Sequence, residues 1–224
     1  MKTFLFIGAN SDMAIEARKL LEMQGDKVIS ISRSENTYFP DFIEGNPVLN
    51  ELPEIESTFD GLVYFPGSIT LKPFRSLKST DFQTEFEINV LGAINSLQKY
   101  SSRMNEGASV VLFSTVAVQV GMPFHSAVSM AKGAVEGLTR ALAAEFAPKI
   151  RVNCIAPSLT HTKMAEKFLS TPEKIDAVAQ RHPLKKVGSV AVLAKSIVYL
   201  LSDSSAWMTG QILHLDGGMS SVKA

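Results

Sequence analysis

Lys132 and His125 stand seven residues apart. Along a helix that is nearly two turns, about 10.5 Å of rise, so both side chains share one face if the helix reaches back that far. An imidazole with a pKa of about 6.5 can donate a proton near neutral pH; a histidine at a helix start is equally a capping or surface residue. A second set of residues opens the chain. Gly8-Ala9-Asn10-Ser11 makes a turn between an apolar run and a helical pattern that starts at Asp12-Met13. A helix opening straight out of such a turn presents unpaired backbone N–H groups, which suit a pyrophosphate. Arg33, with Ser34 beside it, ends the next apolar run. An acidic residue there would accept both ribose hydroxyls of a dinucleotide, whereas a basic one neutralises a 2′-phosphate. Arg33 therefore favours NADPH (NADP) over NADH, with a solvated surface arginine as the other reading.

The elements that must hold these groups follow from periodicity. Thr3-Phe4-Leu5-Phe6-Ile7 is apolar and β-prone, the continuous pattern of a strand buried on both faces of a parallel sheet. Met13, Ala14, Ala17, Leu20 and Leu21 recur at helical spacing, Gly25 ends that helix, and Lys27 to Ser32 gives a second strand. Residues 34–40 leave room only for a short or irregular connection to a third strand near Phe42 to Gly45. Asp60 to Tyr64 is a fourth strand, turning at Gly67. Ser79-Thr80-Asp81 starts a helix whose apolar stripe is expected at Phe82, Phe86, Val90, Ala93, Ile94 and Leu97. Ala108 to Phe113 and Arg151 to Ala156 are the fifth and sixth strands, separated by a helix with Val135, Leu138, Leu142 and Phe146 on one face. Lys163 to Lys186 reads either as a mobile cover over a substrate pocket, within 160–187, or as surface helices packed on the sheet. Val190 to Leu201 is a further helix, and Trp207 to Gly218 closes the chain with a strand and a glycine turn. The alternation predicts one α/β domain over 1–224: a single-domain Rossmann fold with a doubly wound parallel seven-stranded sheet and helices on both faces.

At 224 residues the chain can bury a substantial core without a second domain. Basic and acidic residues number 22 each, with no basic block, so nucleic acid is not an expected partner. Cys154 is the single cysteine, lies in an apolar run and reads as a core residue in a reducing compartment. The apolar start is too short for a signal peptide or membrane span, and Asn10-Ser11-Asp12 interrupts it. The expectation is a soluble cytoplasmic protein acting on a small molecule, with no membrane partner. No metal is expected, since His125, His161, His182 and His214 are scattered without cysteines at zinc spacing.

Nearly the whole chain resembles the short-chain dehydrogenase/reductase family, with a gap at 34–50. The closing Trp207-Met208-Thr209-Gly210-Gln211-Ile212-Leu213-His214-Leu215-Asp216-Gly217-Gly218 carries the resemblance most strongly. The opening turn departs from it: the fixed places of Thr-Gly-x-x-x-Gly-x-Gly hold Ile7, Gly8, Asp12 and Ala14. Ala14 keeps close helix-to-strand packing, while Asp12 brings a carboxylate near a diphosphate unless its side chain caps the helix. The family's Asn-Asn-Ala-Gly becomes Tyr64-Phe65-Pro66-Gly67, and Asn46 takes the place of an aspartate near the adenine. Pro157-Ser158-Leu159-Thr160-His161-Thr162 is similar to Pro-Gly-x-x-x-Thr, with Ser158 for glycine. The resemblance implies that the Thr160 backbone meets the nicotinamide carboxamide and the Thr162 hydroxyl the amide or phosphates. It implies further cofactor contacts at Gly8, Asn10, Ser11, Asp12, Met13, Arg33, Ser34, Asn46, Gly67, Lys132 and Pro157. A homodimer or homotetramer, joined through the last helix pair and closing strand, is implied as well.

In that family a tyrosine four residues before a lysine protonates the alkoxide formed by hydride transfer. The lysine lowers the phenol pKa and binds the nicotinamide ribose, and a serine thirteen residues before the tyrosine orients the substrate oxygen. By resemblance these places hold Lys132, Thr115 (beside Ser114) and, at the tyrosine, Val128. Valine cannot donate a proton. Asn89 matches the asparagine that holds a helix kink and a relay water, or else simply bonds a backbone carbonyl. The enoyl-acyl-carrier-protein reductases, a branch of the family, carry their tyrosine seven residues before the lysine, where His125 stands. Two functions follow. One is an NADPH-dependent reductase of a carbonyl or conjugated alkene, oriented by Thr115 or Ser114 and protonated by His125 or by a water chain through Asn89 and Lys132. The other is a catalytically inactive NADP(H)-binding sensor or oligomer partner.

Overall fold

Alternate residues of Thr3–Ile7 (β1) enter two separate apolar clusters: Phe4 and Phe6 join one, Leu5 and Ile7 the other, and all four are buried. A strand with apolar groups on both faces has to sit inside a sheet covered on both sides. The computed structural model describes residues 1–34 and 41–223. The expected connection over 34–40 lies, apart from Ser34, outside the described residues. β1 is followed by α1 (Asp12–Met23), β2 (Lys27–Ser32), β3 (Ile43–Glu44) and β4 (Phe59–Tyr64). Next come α2 (Ser79–Phe86), a π-helical turn (Glu87–Leu91), α3 (Gly92–Tyr100) and β5 (Met104–Phe113). After these run α4 (Ala117–Val120), α5 (Ser126–Phe146) and β6 (Ile150–Pro157). A 3₁₀ segment (Lys163–Phe168), α6 (Pro172–Gln180), α7 (Val190–Leu201) and β7 (Ile212–Leu215) complete the chain. The seven strands form one sheet in the order β3-β2-β1-β4-β5-β6-β7, every pair parallel. The strand order reverses between β1 and β4, so a crevice opens at the carboxyl ends of these two strands, the usual ligand position in such sheets.

One face of the sheet is covered by α1 and α7, whose Ala14, Ala17, Leu193, Ala194 and Ile197 pack on Phe4, Phe6 and Val111. Val90, Ala93, Leu97, Tyr100, Ala131 and Val135 cover the other face, with Cys154 buried among them. Ser11 caps α1, its Oγ accepting the Ala14 N–H at 3.1 Å. The C-cap is Gln24, one place before the Gly25 expected to end the helix, and Gly25, at φ +84°, turns the chain away.

The helix after Ser79 departs from expectation. Phe86 is exposed and Phe82 only half-buried, whereas Glu85, Asn89 and Val90 are buried. The cause is the π turn, in which the Gly92 N–H bonds the Glu87 carbonyl. Its extra residue rotates the face, so positions 82 and 86 do not align with 90, 93 and 97. Tyr64 completes this turn by donating from its hydroxyl to the Ile88 carbonyl at 2.7 Å, and Gly92 is required because a Cβ there would collide with that hydroxyl. Among the described residues, no helix is long and apolar enough to cross a membrane.

Candidate active site

A cleft of about 380 Å³ opens at the carboxyl ends of β1, β4, β5 and β6. Phe65, Phe113, Val128, Met164, Phe168 and Leu193 give it apolar walls, and Ser68, Thr115, His125, Lys132, Ser158 and His182 bring polar atoms to it. No carboxylate lines it among the described residues.

The opening turn forms with only the first of the family's glycines in place. Gly8 lies at φ +78°, and a Cβ there would come within 2.7 Å of Pro66, so this glycine is required twice over. Asn10 donates from Nδ2 to the Ser34 carbonyl at 2.8 Å and to its Oγ at 3.2 Å, tying the turn to the end of β2, where Arg33 is exposed. Asp12 does not cap the helix; Ser11 does. The Asp12 carboxylate instead accepts the Lys163 N–H at 2.7 Å, so its charge is engaged by a backbone donor beyond β6. Met13 reaches the cleft wall. Asn46 is occupied locally, its Oδ1 accepting the Val48 N–H at 3.2 Å.

Lys132 lies at the cleft floor, 8 % exposed, and donates from Nζ to the Phe113 carbonyl at 2.9 Å. Burial pulls its pKa from 10.5 down to about 8, with the charges of Cys154 and Glu85 opposing that shift. A Cβ on Gly67 would lie 3.2 Å from Asn89 Oδ1 and 3.6 Å from Lys132 Nζ, so these two groups and the β4 turn meet at one point. Asn89 donates from Nδ2 to the Glu85 carbonyl at 2.8 Å, to Glu85 Oε2 at 2.9 Å and to Ser68 Oγ at 3.1 Å. Ser68 in turn donates to Glu85 Oε2 at 2.9 Å. Glu85 Oε1 and Asn89 Oδ1 are buried without a hydrogen-bond partner among the described residues.

Ser114 is 4 % exposed and donates from Oγ to Glu136 Oε1 at 2.7 Å, which commits its hydroxyl to α5 rather than to the cleft. Thr115 Oγ1 accepts the Ala117 N–H at 3.3 Å at the start of α4. Val128, 2 % exposed, lines the cleft four residues before Lys132. His125 reaches the cleft too, but α5 begins one residue after it, so the shared helical face stops short of it. Its Nδ1 lies 2.7 Å from the Pro123 carbonyl, and it makes no capping bond. Pro157 accepts the Val116 N–H through its carbonyl at 3.0 Å. Thr160 and Thr162 follow on the rim, their hydroxyls donating to the Ser158 and Thr160 carbonyls at 3.0 and 3.4 Å.

The family profile described as enoyl-(acyl carrier protein) reductase matches residues 45–220, well over half of the chain. The chain belongs to the short-chain dehydrogenase/reductase family. This is a family of oxidoreductases that use nicotinamide cofactors. Similar family members include carbonyl reductase [NADPH] 2 of Sus scrofa, 29 % identical with 96 % of this chain and 94 % of the relative covered. L-xylulose reductase of Homo sapiens is likewise 29 % identical, over 96 % and 94 %. Among solved structures, the ligand-free aldohexose dehydrogenase of Thermoplasma acidophilum superposes with a TM-score of 0.86 at 25 % identity, covering 100 % of this chain and 96 % of that one. A family protein from Francisella tularensis superposes at 0.90 with 22 % identity, over 99 % and 100 %, a likeness of fold.

The family's cofactor fits the residues present. A buried ammonium with a single protein acceptor among the described residues, an orphaned amide oxygen beside it and a glycine that leaves space between them are what a ribose edge would complete. Sequence reasoning missed Ser68, Ser158 and His182 on the cleft wall and Glu85 behind it. Glu85 was hidden because the π turn, not an even helical stripe, sets which residues of that helix face inward, and Ser68 because only its bonds to Glu85 and Asn89 mark it; Ser158 and His182 were seen as a lost glycine and a scattered histidine.

Proposed function

We propose that the chain is an NADPH-dependent reductase that moves hydride to a carbonyl or conjugated alkene and draws the proton from a group other than the family's tyrosine. The observation that carries this reading is the Lys132 ammonium at the cleft floor with one protein partner among the described residues. A desolvated cation with unused donors is costly unless a ligand completes it. When bound, the nicotinamide supplies the hydride. Lys132 and Asn89 would hold the ribose, Gly8, Ser11 and Met13 the pyrophosphate, and Arg33 with Ser34 and Asn10 the adenosine phosphate. Asn46, Gly67, Pro157, Thr160 and Thr162 complete the contacts proposed for it. Support for NADPH comes from Arg33 and from a relative whose name specifies that cofactor. Thr115 would orient the substrate oxygen, since Ser114 is bonded to Glu136. Proton delivery is left to His125 or to a chain through Asn89 and Lys132.

The segment 160–187 would cover the substrate: Met164, Phe168 and Val178 from it already line the cleft. The fully exposed Trp207, with Tyr199 and Val192 exposed on α7, supports a homo-oligomer. A cytoplasmic location belongs to the same proposal, since NADPH and the unpaired, buried Cys154 suit a reducing compartment. A second reading, an inactive NADP(H)-binding sensor or oligomer partner, rests on Val128. Following the nicotinamide absorbance with a panel of ketones and enones separates them: steady turnover is expected, and binding of NADPH with no turnover would favour the second.

A further inference from the structure

Two side chains that the family's chemistry does not use meet at the wall of the cleft. Ser158 stands at the end of β6, where the family motif has glycine, and its Oγ lies 2.8 Å from His182 Nε2. The opposite ring nitrogen, Nδ1, lies 2.9 Å from the Val178 carbonyl. A carbonyl can only accept, so Nδ1 carries a hydrogen in both protonation states and Nε2 is the atom that exchanges. His182 is 2 % exposed, and both residues line the cleft. His125, by contrast, is only half-buried, at the unformed start of α5, with its one bonded ring nitrogen committed to a carbonyl two residues away.

We propose that Ser158 is the catalytic proton donor of the reductase reaction and that His182, acting through it, is its proton source. This rests on the reductase reading above and names the group which that reading leaves open. In the charged state, Nε2–H donates to Ser158 Oγ, and the Ser158 O–H, which otherwise meets only the weak acceptor Met219 Sδ at 3.8 Å among the described residues, turns into the cleft. As hydride reaches the substrate, its oxygen, or the enolate carbon of a reduced alkene, takes the Ser158 proton. Oγ takes the Nε2 proton, and the imidazole is left neutral, with Nε2 accepting the new Ser158 O–H. Solvent then returns one proton to the imidazole. The charged groups around His182 are Arg181 and Lys185 on its own segment and Asp216 in the closing turn packed against it. The Asp216 carboxylate already accepts the Gly218 and Ser220 N–H groups at 2.9 and 3.0 Å. From α6 the Val178 and Ala179 carbonyls meet His182, and Ser158 follows β6 directly.

Two measurements test this. In the first, protein labelled with ¹⁵N at its four histidines, free of cofactor, is followed by long-range ¹H–¹⁵N correlation, with His182→Gln assigning the signal. The neutral His182 ring should carry its hydrogen on Nδ1, and Ser158→Ala should move its Nε2 resonance. A hydrogen on Nε2 instead overturns the proposal whatever the enzyme does. In the second, NADPH oxidation is measured with 4-phenyl-3-buten-2-one, which offers a ketone and a conjugated alkene in one molecule. Ser158→Ala and His182→Gln should each lower kcat about 100-fold, the scale of a lost general acid, with KM and NADPH affinity unchanged. If kcat persists in Ser158→Ala but vanishes in His125→Ala, the relay is overturned and the reductase reading stands. Wild-type protein that binds NADPH yet oxidises none with this enone or any of the panel of ketones and enones overturns both.

Discussion

The Asp12 carboxylate, at a place where the family motif has glycine, accepts the backbone N–H of Lys163 at 2.7 Å. The first turn of α1 is thereby fastened to the 3₁₀ segment that carries Met164 and Phe168 over the cleft. A charge-assisted bond to a backbone donor is stronger than a neutral one, and here it spans 151 residues of sequence.

Asp12→Ala should therefore loosen the covering segment and leave the sheet intact. Amide exchange at 163–169 is expected to speed up about tenfold or more, the change that loss of one charged hydrogen bond of about 1.5–3 kcal/mol would produce. Unchanged protection there would show that the contact holds nothing in place.

Arg33 is exposed at the end of β2, and its proposed partner is a phosphate. Arg33→Ala should weaken NADPH binding about 10- to 100-fold and NADH binding little, which titration of nicotinamide fluorescence would read. Equal losses for both would remove the argument for the phosphorylated cofactor.

Lys132 makes stability depend on pH in a predictable direction. Burial lowers its pKa from 10.5 in the unfolded chain to about 8 in the folded one, so between these values the unfolded state binds the proton more strongly. The cofactor-free protein should gain stability as pH rises from about 8 to about 10.5, by up to about 3 kcal/mol. Lys132→Met should abolish that rise in denaturant titrations and also abolish the stabilisation by NADPH. Glu85→Gln removes a charge that holds the Lys132 proton, so the rise should begin at lower pH.

Most of the architecture was legible because continuous apolar runs and helical stripes specify a buried parallel sheet with its covering helices, and β1, β2 and α7 lie where the pattern put them. What was not legible depends on contacts between distant segments. The π turn needs Tyr64 from β4 to take the Ile88 carbonyl, and no periodicity within 79–100 reveals it. Phe86 was expected in the apolar stripe, yet it is exposed and its neighbour Glu85 is buried. The pairing of Ser158 with His182 joins residues 24 apart through the fold of α6. The glycine loop was legible as a turn, but the partner of Asp12 was not.

Val128 is buried against the cleft and has open space before it. Val128→Tyr restores a phenol four residues before Lys132, and ketone reduction should rise about 100-fold over wild type as a general acid is added. Activity appearing only in the variant, from a wild type with none, would favour the inactive-binder reading.

The central claim is that Gly8, Arg33 and Lys132 jointly hold a phosphorylated nicotinamide dinucleotide, and titration calorimetry with NADPH and NADH tests it most directly. One site per chain is expected, tighter for NADPH by at least about tenfold and lost in Lys132→Met. Absence of heat with either coenzyme at millimolar concentration would contradict it.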